Sequence, residues 1–245
     1  MKRTIVVVGL LTFISAATAL AAPKSIKNSK HNLSSGNGLT DVTSNTNQIC
    51  VFCHTPHNAS VAVPLWNRNN PTATNFTLYS STTMKYKKNA TGFSSDSISL
   101  QCMSCHDGAT AIGAVTNLPA DRLTGITVSG NHITGSGVGT GTLAAVATTH
   151  ANLGTNISTS HPVNFNVDPS VTHSYITTPT AGDKFMGGNS ANGGVTSKIF
   201  PLFSNTRGSY AFECATCHSV HDDQHTMFLR TTIDGSKLCL GCHIK

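Results

Sequence analysis

The sequence has few charged residues and few aromatic rings. Only 11% of its 245 residues are charged, 6% are aromatic, and there is one tryptophan. Gly, Ser, Thr and Asn are abundant instead, so helix propensity is low and turn-forming residues are frequent. Such a chain can bury little apolar surface of its own. We therefore expect a bound group, rather than side chains alone, to complete the core.

Long apolar runs are absent beyond the N-terminus. Lys2 and Arg3 precede an apolar run at 5–14, and small residues ending Ala19-Leu-Ala21 follow it. This order predicts a signal peptide over residues 1–21, cut after Ala21. The run is short for a membrane anchor. The mature protein is thus predicted to be exported and soluble, and to lie outside the cell or at its outer surface, or alternatively in the periplasm.

A strong excess of one charge is also absent. Removing Lys2 and Arg3 from the 16 basic residues leaves 14 against 10 acidic ones, a net charge of +4. No basic stretch with interleaved aromatic residues occurs, which argues against nucleic-acid binding. No segment after the predicted cleavage site is long enough to span a membrane.

No cysteine is left outside one repeated motif. All eight cysteines occur in four copies of Cys-x-x-Cys-His, the attachment signature of c-type haem. Two thiols at this spacing can each bond one vinyl group of a porphyrin, and the adjoining His then meets the iron as its proximal ligand. The predicted thioether residues are Cys50, Cys53, Cys102, Cys105, Cys214, Cys217, Cys239 and Cys242. The predicted proximal ligands are His54, His106, His218 and His243.

Other uses of paired cysteines explain the sequence less well. Two Cys-x-x-Cys pairs can close a zinc site, but zinc does not require a His after every second cysteine. Disulfides suit an exported chain, yet four bridges inside Cys-x-x-Cys would be an unusual scaffold. We therefore predict four haem c groups. Their eight propionates would bring the holoprotein close to neutral or mildly acidic.

The spacing of the motifs divides the chain unevenly. Their first cysteines are 52, 112 and 25 residues apart, so the motif does not mark a regular solenoid. We predict an N-terminal two-haem segment at 22–106, a loop-rich cysteine-free segment at 107–213 that wraps the haems, and a C-terminal two-haem segment at 214–245. Short β-like runs occur at Gly125–Ser129, Val163–Val167 and Ser174–Thr178. The predicted fold is one haem-cored unit, mostly irregular, with short helices at the motifs and a few short strands.

Eight histidines remain to supply the second axial ligands, and four are needed. His57 and His221 each follow a proximal His by three residues, which on a helical turn places both side chains on one face. Because a distal ligand approaches from the opposite face of the porphyrin, neither can serve its own neighbour's iron. We expect His221 to serve the haem held by His243. We expect His57 to serve another haem of this chain or of another molecule.

His31 and His161 are the favoured remaining distal ligands. His161 precedes Pro162, which favours an extended chain that presents a side chain from a loop. His132, His150, His173 and His225 are reserves. Met103 and Met227 are the methionines nearest to motifs, and His/Met ligation would raise the potential of a haem. The surplus of histidine favours bis-His ligation throughout.

Several longer segments of the sequence resemble those of a known family. They are Ile49-Cys-Val-Phe-Cys-His-Thr-Pro-His57, Pro64-Leu-Trp-Asn67, Ser160-His-Pro-Val163, Phe228-Leu-Arg230 and Leu238-Cys-Leu-Gly-Cys-His243. They are similar to the multihaem c-type cytochromes exported by metal-reducing bacteria, and to their tetrahaem, filament-forming members above all. The resemblance implies stacked bis-His haems, subunits polymerised into an extracellular wire, and a distal His given to a haem of the adjacent subunit, here at His57.

The residues and the resemblance together favour an electron carrier over an enzyme. A reductase of nitrite, sulfite or peroxide needs one iron with a vacant position, whereas all four motifs here end in His and distal candidates are plentiful. No catalytic residue is predicted. A discrete periplasmic shuttle is the alternative to the polymerised wire, and its partners would be redox proteins or extracellular acceptors.

Overall fold

Helices in the structure, a computed structural model, are short and concentrate at the motifs. The structure describes residues 25–39, 41–61, 64–86, 92–135, 137–144, 151–188 and 197–244. The predicted signal peptide at 1–21 and His150 lie outside these residues. The α-helices are α1 (Ile98–His106), α2 (Cys214–Cys217) and α3 (Lys237–Leu240). Five 3-10 turns cover Ile26–Asn28, Cys50–Phe52, Ala73–Asn75, Thr226–Phe228 and Asp234–Ser236.

Strands are equally short. They are β1 (Thr43–Ser44), β2 (Thr77–Leu78), β3 (Val128–Ser129), β4 (Ile133–Thr134), β5 (Thr142–Leu143), β6 (Asn156–Ile157), β7 (Phe165–Asn166), β8 (Phe185–Met186), β9 (Phe200–Pro201), β10 (Phe203–Asn205) and β11 (Gly208–Phe212). The prediction of a mostly irregular chain with short helices at the motifs and a few short strands is confirmed.

The strands form small sheets that connect distant parts of the chain. β10, β11 and β7 form an antiparallel three-stranded sheet, β2 and β6 pair in parallel, and β1–β3, β4–β5 and β8–β9 are antiparallel pairs. The β1–β3 and β2–β6 pairs cross the boundary drawn at residue 106, which agrees with a single unit. The division into three segments stays a prediction.

Two of the three predicted β-like runs contain strands. Val128–Ser129 lies within the first and Phe165–Asn166 within the second. In the third, Ile176 forms only an isolated bridge with His243, and the Thr177 backbone N–H donates to the Cys242 carbonyl over 2.7 Å. This run therefore lies along the fourth motif instead of joining a sheet.

Three apolar clusters fill the interior, and two of them pack against predicted haem-attachment cysteines. The first centres on Phe52 and Ile126 and packs against Cys53 and Cys105. The second centres on Phe165 and Phe200 and packs against Cys217 and Cys242. The third surrounds Leu100 and Met103 of α1. The motifs therefore line the edges of a divided core.

A close backbone approach explains one glycine beside the three-stranded sheet. A Cβ atom on Gly208 would lie 2.1 Å from the Asn166 side-chain oxygen. The Asn166 oxygen accepts from the Tyr210 backbone N–H over 3.0 Å. A larger residue at 208 would thus force β7 away from β11, the strand that leads into the third motif.

Candidate haem sites

Each motif folds as a tight turn that gathers its two cysteines and its histidine. The four motifs are numbered in chain order. In motif 1, motif 3 and motif 4, the backbone N–H of the histidine donates to the carbonyl of the first cysteine, over 2.8 Å for His54, 3.0 Å for His218 and 2.8 Å for His243. Motif 2 ends the nine-residue helix α1. These i to i+4 bonds place the first sulfur and the imidazole on the same side of the turn. Such a turn can hold the edge of a porphyrin through the cysteine sulfurs and contact one of its faces through the imidazole.

None of the eight cysteines forms a disulfide. Burial, and then the neighbouring Cys105 thiol, raise the pKa of Cys53 to about 12. Burial likewise raises the pKa of Cys242 to about 12. Across the described parts of the chain, no group of three or more His, Cys, Asp or Glu side chains is placed to hold a metal ion by itself. The raised pKa values of Cys53 and Cys242 oppose the thiolate form that a zinc site would need.

The motifs are neighbours in the order of the sequence. Cys53 of motif 1 lies near Cys105 of motif 2. The Cys102 and Cys214 thiols of motif 2 and motif 3 hydrogen-bond each other, which raises the pKa of Cys102 and lowers that of Cys214. Cys217 of motif 3 is electrostatically coupled to the cysteines of motif 4. Haems on these sulfurs would be close to one another.

A buried carboxylate joins motif 2 to motif 3. Glu213 immediately precedes α2 and is fully buried. Its carboxylate accepts from the Ser97 hydroxyl over 2.8 Å, from the Ser99 hydroxyl, and from the Ser99 backbone N–H over 3.3 Å at the start of α1. Asn205 donates a further bond over 2.6 Å. Burial raises the pKa of Glu213, and the bonds from Ser99, Ser97 and Asn205 oppose that rise.

Backbone carbonyls orient three of the four proximal imidazoles. Nδ1 of His54 lies 2.7 Å from the Pro64 carbonyl, Nδ1 of His106 lies 2.6 Å from the Ala151 carbonyl, and Nδ1 of His218 lies 2.7 Å from the Met227 carbonyl. A carbonyl accepts only from a protonated nitrogen, so Nδ1 carries the hydrogen and Nε2 is left as the basic atom. This is the usual support for a metal-binding histidine.

Three pairs of histidine rings have the separation that one iron between them would require. A metal–nitrogen bond of about 2 Å on each side, and about 1 Å more to each ring centroid, places two axial imidazoles about 6 Å apart. The centroids of His31 and His106 are 6.1 Å apart, those of His54 and His221 are 6.0 Å apart, and those of His161 and His243 are 6.3 Å apart. Each pair joins one proximal His to one predicted distal His.

His221 lies beside a different proximal histidine from the one we expected. The sequence argument assigned it to the haem of His243, whereas its ring faces His54 and His161 faces His243. The reason is a closed loop after motif 3. The Ser219 N–H donates to the Phe228 carbonyl over 2.7 Å, and the Arg230 N–H donates to the Cys217 carbonyl over 2.9 Å. This loop carries His221 away from motif 4 and toward motif 1.

His31 is held by the same loop. Its ring stacks on Phe228 at 4.4 Å with an interplanar angle of 10°, and the Val220 backbone carbonyl accepts a hydrogen bond from it. Burial, and then His106, lower the pKa of His31 to about 4. The imidazole is therefore neutral at neutral pH, as an iron ligand must be.

His161 is oriented by its own local chain. Its Nδ1 lies 2.9 Å from the Pro162 carbonyl, and its ring lies 5.3 Å from that of Phe212. Burial lowers the pKa of His161. As with the predicted proximal imidazoles, the carbonyl contact leaves Nε2 as the nitrogen with a free lone pair.

His218 has no histidine ring about 6 Å away in the described part of the chain. The His57 side chain is exposed. The Thr55 hydroxyl donates to the His57 carbonyl over 2.8 Å, and the next residue, Asn58, has a positive φ of 57°. This turn directs His57 outward from motif 1. Among the described residues, one proximal and one distal candidate therefore remain without a ring partner.

The reserve ligands have other surroundings. His132 forms an ion pair with Asp41 at 3.1 Å, His173 packs edge-on against Tyr86 at 4.8 Å, and His225 precedes the 3-10 turn at Thr226–Phe228. Met103 is fully buried in the cluster around α1, whereas Met227 is 61% exposed. None of these side chains forms a ring pair with a proximal His in the described residues.

The structure also contains residues that sequence reasoning missed. Asn67 and Arg68 are both fully buried between motif 1 and motif 2. The Asn67 backbone N–H donates to the Cys53 carbonyl over 2.9 Å, and its side-chain amide donates to the Val51 carbonyl over 2.7 Å. The sequence signals were the lone tryptophan that precedes them and, for Asn67, its place in the segment Pro64-Leu-Trp-Asn67.

Comparison with known proteins supports the class of the site. Residues 209–245 match the family described as the doubled CXXCH motif. This segment contains motif 3 and motif 4, and it has the covalent haem c attachment signature of multihaem electron-carrying cytochromes. No curated protein matches the chain. No helix within the described ranges is long and apolar enough to cross a membrane.

Proposed function

We propose that the protein is a tetrahaem electron carrier, resembling the filament-forming cytochrome OmcE, whose subunits polymerise outside the cell. Its eight cysteines hold four haems, and His54, His106, His218 and His243 are their proximal ligands. The proposed distal ligands are His221 for the iron of His54, His31 for that of His106 and His161 for that of His243. The three ring separations near 6 Å are the observation that carries this assignment.

The fourth distal ligand is proposed to come from another subunit. His57 is exposed, and His218 lacks a ring partner in the described residues. If the exposed ligand of one subunit binds the unpaired iron site of the next subunit, the two subunits form a head-to-tail contact. Such a contact produces a filament when it does not close into a ring. In this arrangement the His57 imidazole binds the iron held by His218 of the next subunit.

The haems supply the one-electron chemistry of their iron, and the chain controls the position and the ligands of each haem. The motif turns fix each porphyrin by its edge, while the backbone carbonyls of Pro64, Ala151 and Met227 hold the proximal rings. Two imidazoles on each iron exclude substrates and limit rearrangement on electron transfer. The contacts between successive motifs hold the carriers close enough for electrons to pass along the subunit.

The test uses the full-length exported protein. Mass spectrometry counts attached haems, and electron cryo-microscopy of the extracellular fraction shows whether filaments form. His57→Ala is expected to keep four haems, lose filaments and leave one iron high-spin. His132→Ala, which removes only an ion pair with Asp41, is the matched control and is expected to assemble normally. Filaments unchanged in His57→Ala would contradict ligation between subunits.

An enzyme with one open iron is the second candidate, because His218 has no ring partner in the described chain. Carbon monoxide distinguishes the two candidates. If the assembled, reduced protein binds it at one haem, the iron of His218 is open and a reductase or sensor is favoured. If the assembled protein does not bind it, and only His57→Ala does, the electron carrier is favoured. Discrete particles with every iron low-spin would instead indicate a periplasmic shuttle.

A further inference from the structure

Arg68 is a fully buried cation between motif 1 and motif 2. Its Nε donates to the Ser104 hydroxyl over 3.1 Å, and its two terminal nitrogens donate to the carbonyls of Ile112 (2.5 Å), Ala111 (2.6 Å) and Ser104 (2.8 Å). The side chain is 0% exposed. All four acceptors are neutral oxygens: one hydroxyl and three backbone carbonyls.

No carboxylate neutralises this charge in the described part of the chain. The ion pairs found there join His132 to Asp41 and Lys198 to Asp183. Guanidinium does not lose its proton in proteins, so burial leaves Arg68 charged. A buried charge without a counter-ion is costly and is retained only where hydrogen bonds or function compensate for it.

The guanidinium is tied to two haem-attachment turns at once. Ser104 lies inside motif 2, between Cys102 and Cys105. The neighbouring Asn67 donates its backbone N–H to the carbonyl of Cys53 in motif 1. Since Arg68 is fully enclosed by protein, no haem propionate can contact and neutralise it without displacing that protein.

A fixed cation favours the reduced state of a nearby iron. Reduction adds one electron to the ferric iron and oxidation removes it, with no bond formed or broken, so the two states differ by one unit of charge. In a medium of low dielectric constant a cation acts on that difference over several ångströms. We propose that Arg68 raises the reduction potentials of the haems on motif 1 and motif 2. This proposal rests on the proposed haem attachment at the first two motifs.

The test compares charge with hydrogen bonding at position 68. Spectroelectrochemical titration of the full-length holoprotein is run on the wild type, Arg68→Gln and Arg68→Lys. Arg68→Gln is expected to raise the ratio of oxidised to reduced haem at a fixed potential by about tenfold for two of the four haems, a shift of about 59 mV for one electron. Both variants are titrated at a mildly acidic pH, where a buried lysine keeps its charge, and Arg68→Lys is then expected to retain most of the potential. Low-spin absorption bands in all three proteins verify that ligation is intact.

A second pair of variants neutralises the charge without removing it. Ser104→Asp places a carboxylate beside Arg68 Nε, whereas Ser104→Asn introduces a neutral side chain of the same size. The Asp variant is expected to lower the same two potentials relative to the Asn variant. This pair decides the question if Arg68→Gln does not fold with its haems.

Two results would overturn the proposal. One is an unchanged set of potentials in Arg68→Gln, or in Ser104→Asp compared with Ser104→Asn. The other is an equal fall in Arg68→Lys and Arg68→Gln, which would assign the effect to hydrogen bonding. A wild-type protein with fewer than four haems by mass would instead contradict the proposed function, independently of these titrations.

Discussion

The imidazole rings of His54 and His221 lie 6.0 Å apart, with their planes inclined by only 22°. One ring belongs to the first motif and the other to the loop after the third. The pair connects the N-terminal and C-terminal parts of the chain at the position where one iron would be bound. If both rings bind that iron, the first haem site needs the C-terminal segment to be complete.

Replacing His221 is therefore expected to open one iron in the N-terminal part of the molecule. His221→Ala should retain four attached haems but show a high-spin band for about one of them, because the iron of His54 loses its sixth ligand. Carbon monoxide should then bind to that haem in the reduced protein. His132→Ala should leave the spectrum as in the wild type. A fully low-spin spectrum in His221→Ala would contradict the assignment.

Removing the ring that stacks on His31 is expected to weaken the second haem site. Phe228 lies 4.4 Å from the His31 ring, and stacked aromatic pairs contribute about 0.5–1.5 kcal/mol beyond their buried area. Phe228→Ala should thus lower the denaturant concentration at which the low-spin spectrum is lost. Phe185→Ala is the control, since Phe185 is exposed in β8. An equal effect in both variants would show that the stack has no special role.

Loss of the Asn67 side chain is expected to destabilise the junction between the first two motifs. Its amide donates to Val51 and Asn117 carbonyls, and its oxygen accepts from the Asn117 N–H over 2.8 Å. Each buried group left unsatisfied costs about 1–3 kcal/mol. Asn67→Ala should therefore lower the melting temperature clearly, whereas Asn69→Ala, at an exposed position, should not. Equal melting temperatures would contradict this role.

Glu213 is expected to make stability depend on pH. Burial raises its pKa above the usual value of 4.5, so the folded protein binds a proton that the unfolded chain has released. The stabilisation from this proton is complete below pH 4.5 and is lost as the pH rises through the folded pKa. Because Gln cannot ionise, Glu213→Gln should remove the part of the loss of stability with rising pH that comes from this proton. Urea midpoints from pH 4.5 to 8 measure it, and parallel curves for the two proteins would refute the role.

The residues of the candidate haem sites are predictions from local sequence patterns. Cys-x-x-Cys-His is a contiguous pattern, so the attachment residues, the proximal histidines and the short turns around them follow from spacing alone. The scarcity of charged and aromatic residues likewise predicted a fold with little regular structure. His31, His161 and His221 were chosen as distal ligands from local arguments, and the structure places each of them beside a proximal histidine.

The pairing of distal and proximal histidines could not be read from the sequence. It depends on the loop at 219–228, whose closure by the Ser219 and Arg230 backbone bonds turns His221 toward motif 1. Arg68 was missed for a related reason. An arginine among asparagines suggests a solvated surface, and only the carbonyls of Ala111 and Ile112, far along the chain, give its guanidinium a buried position.

The loop after the third motif has a consequence for how the protein is made. A ribosome produces His31 and His54 well before Phe228 and His221, the rings that the structure places against them. A nascent chain would therefore carry its first two motifs for a time without these rings. Completion of the first two sites would thus report that the loop after the third motif has arrived, and only chains that include this loop would hide their first iron from small reactive molecules.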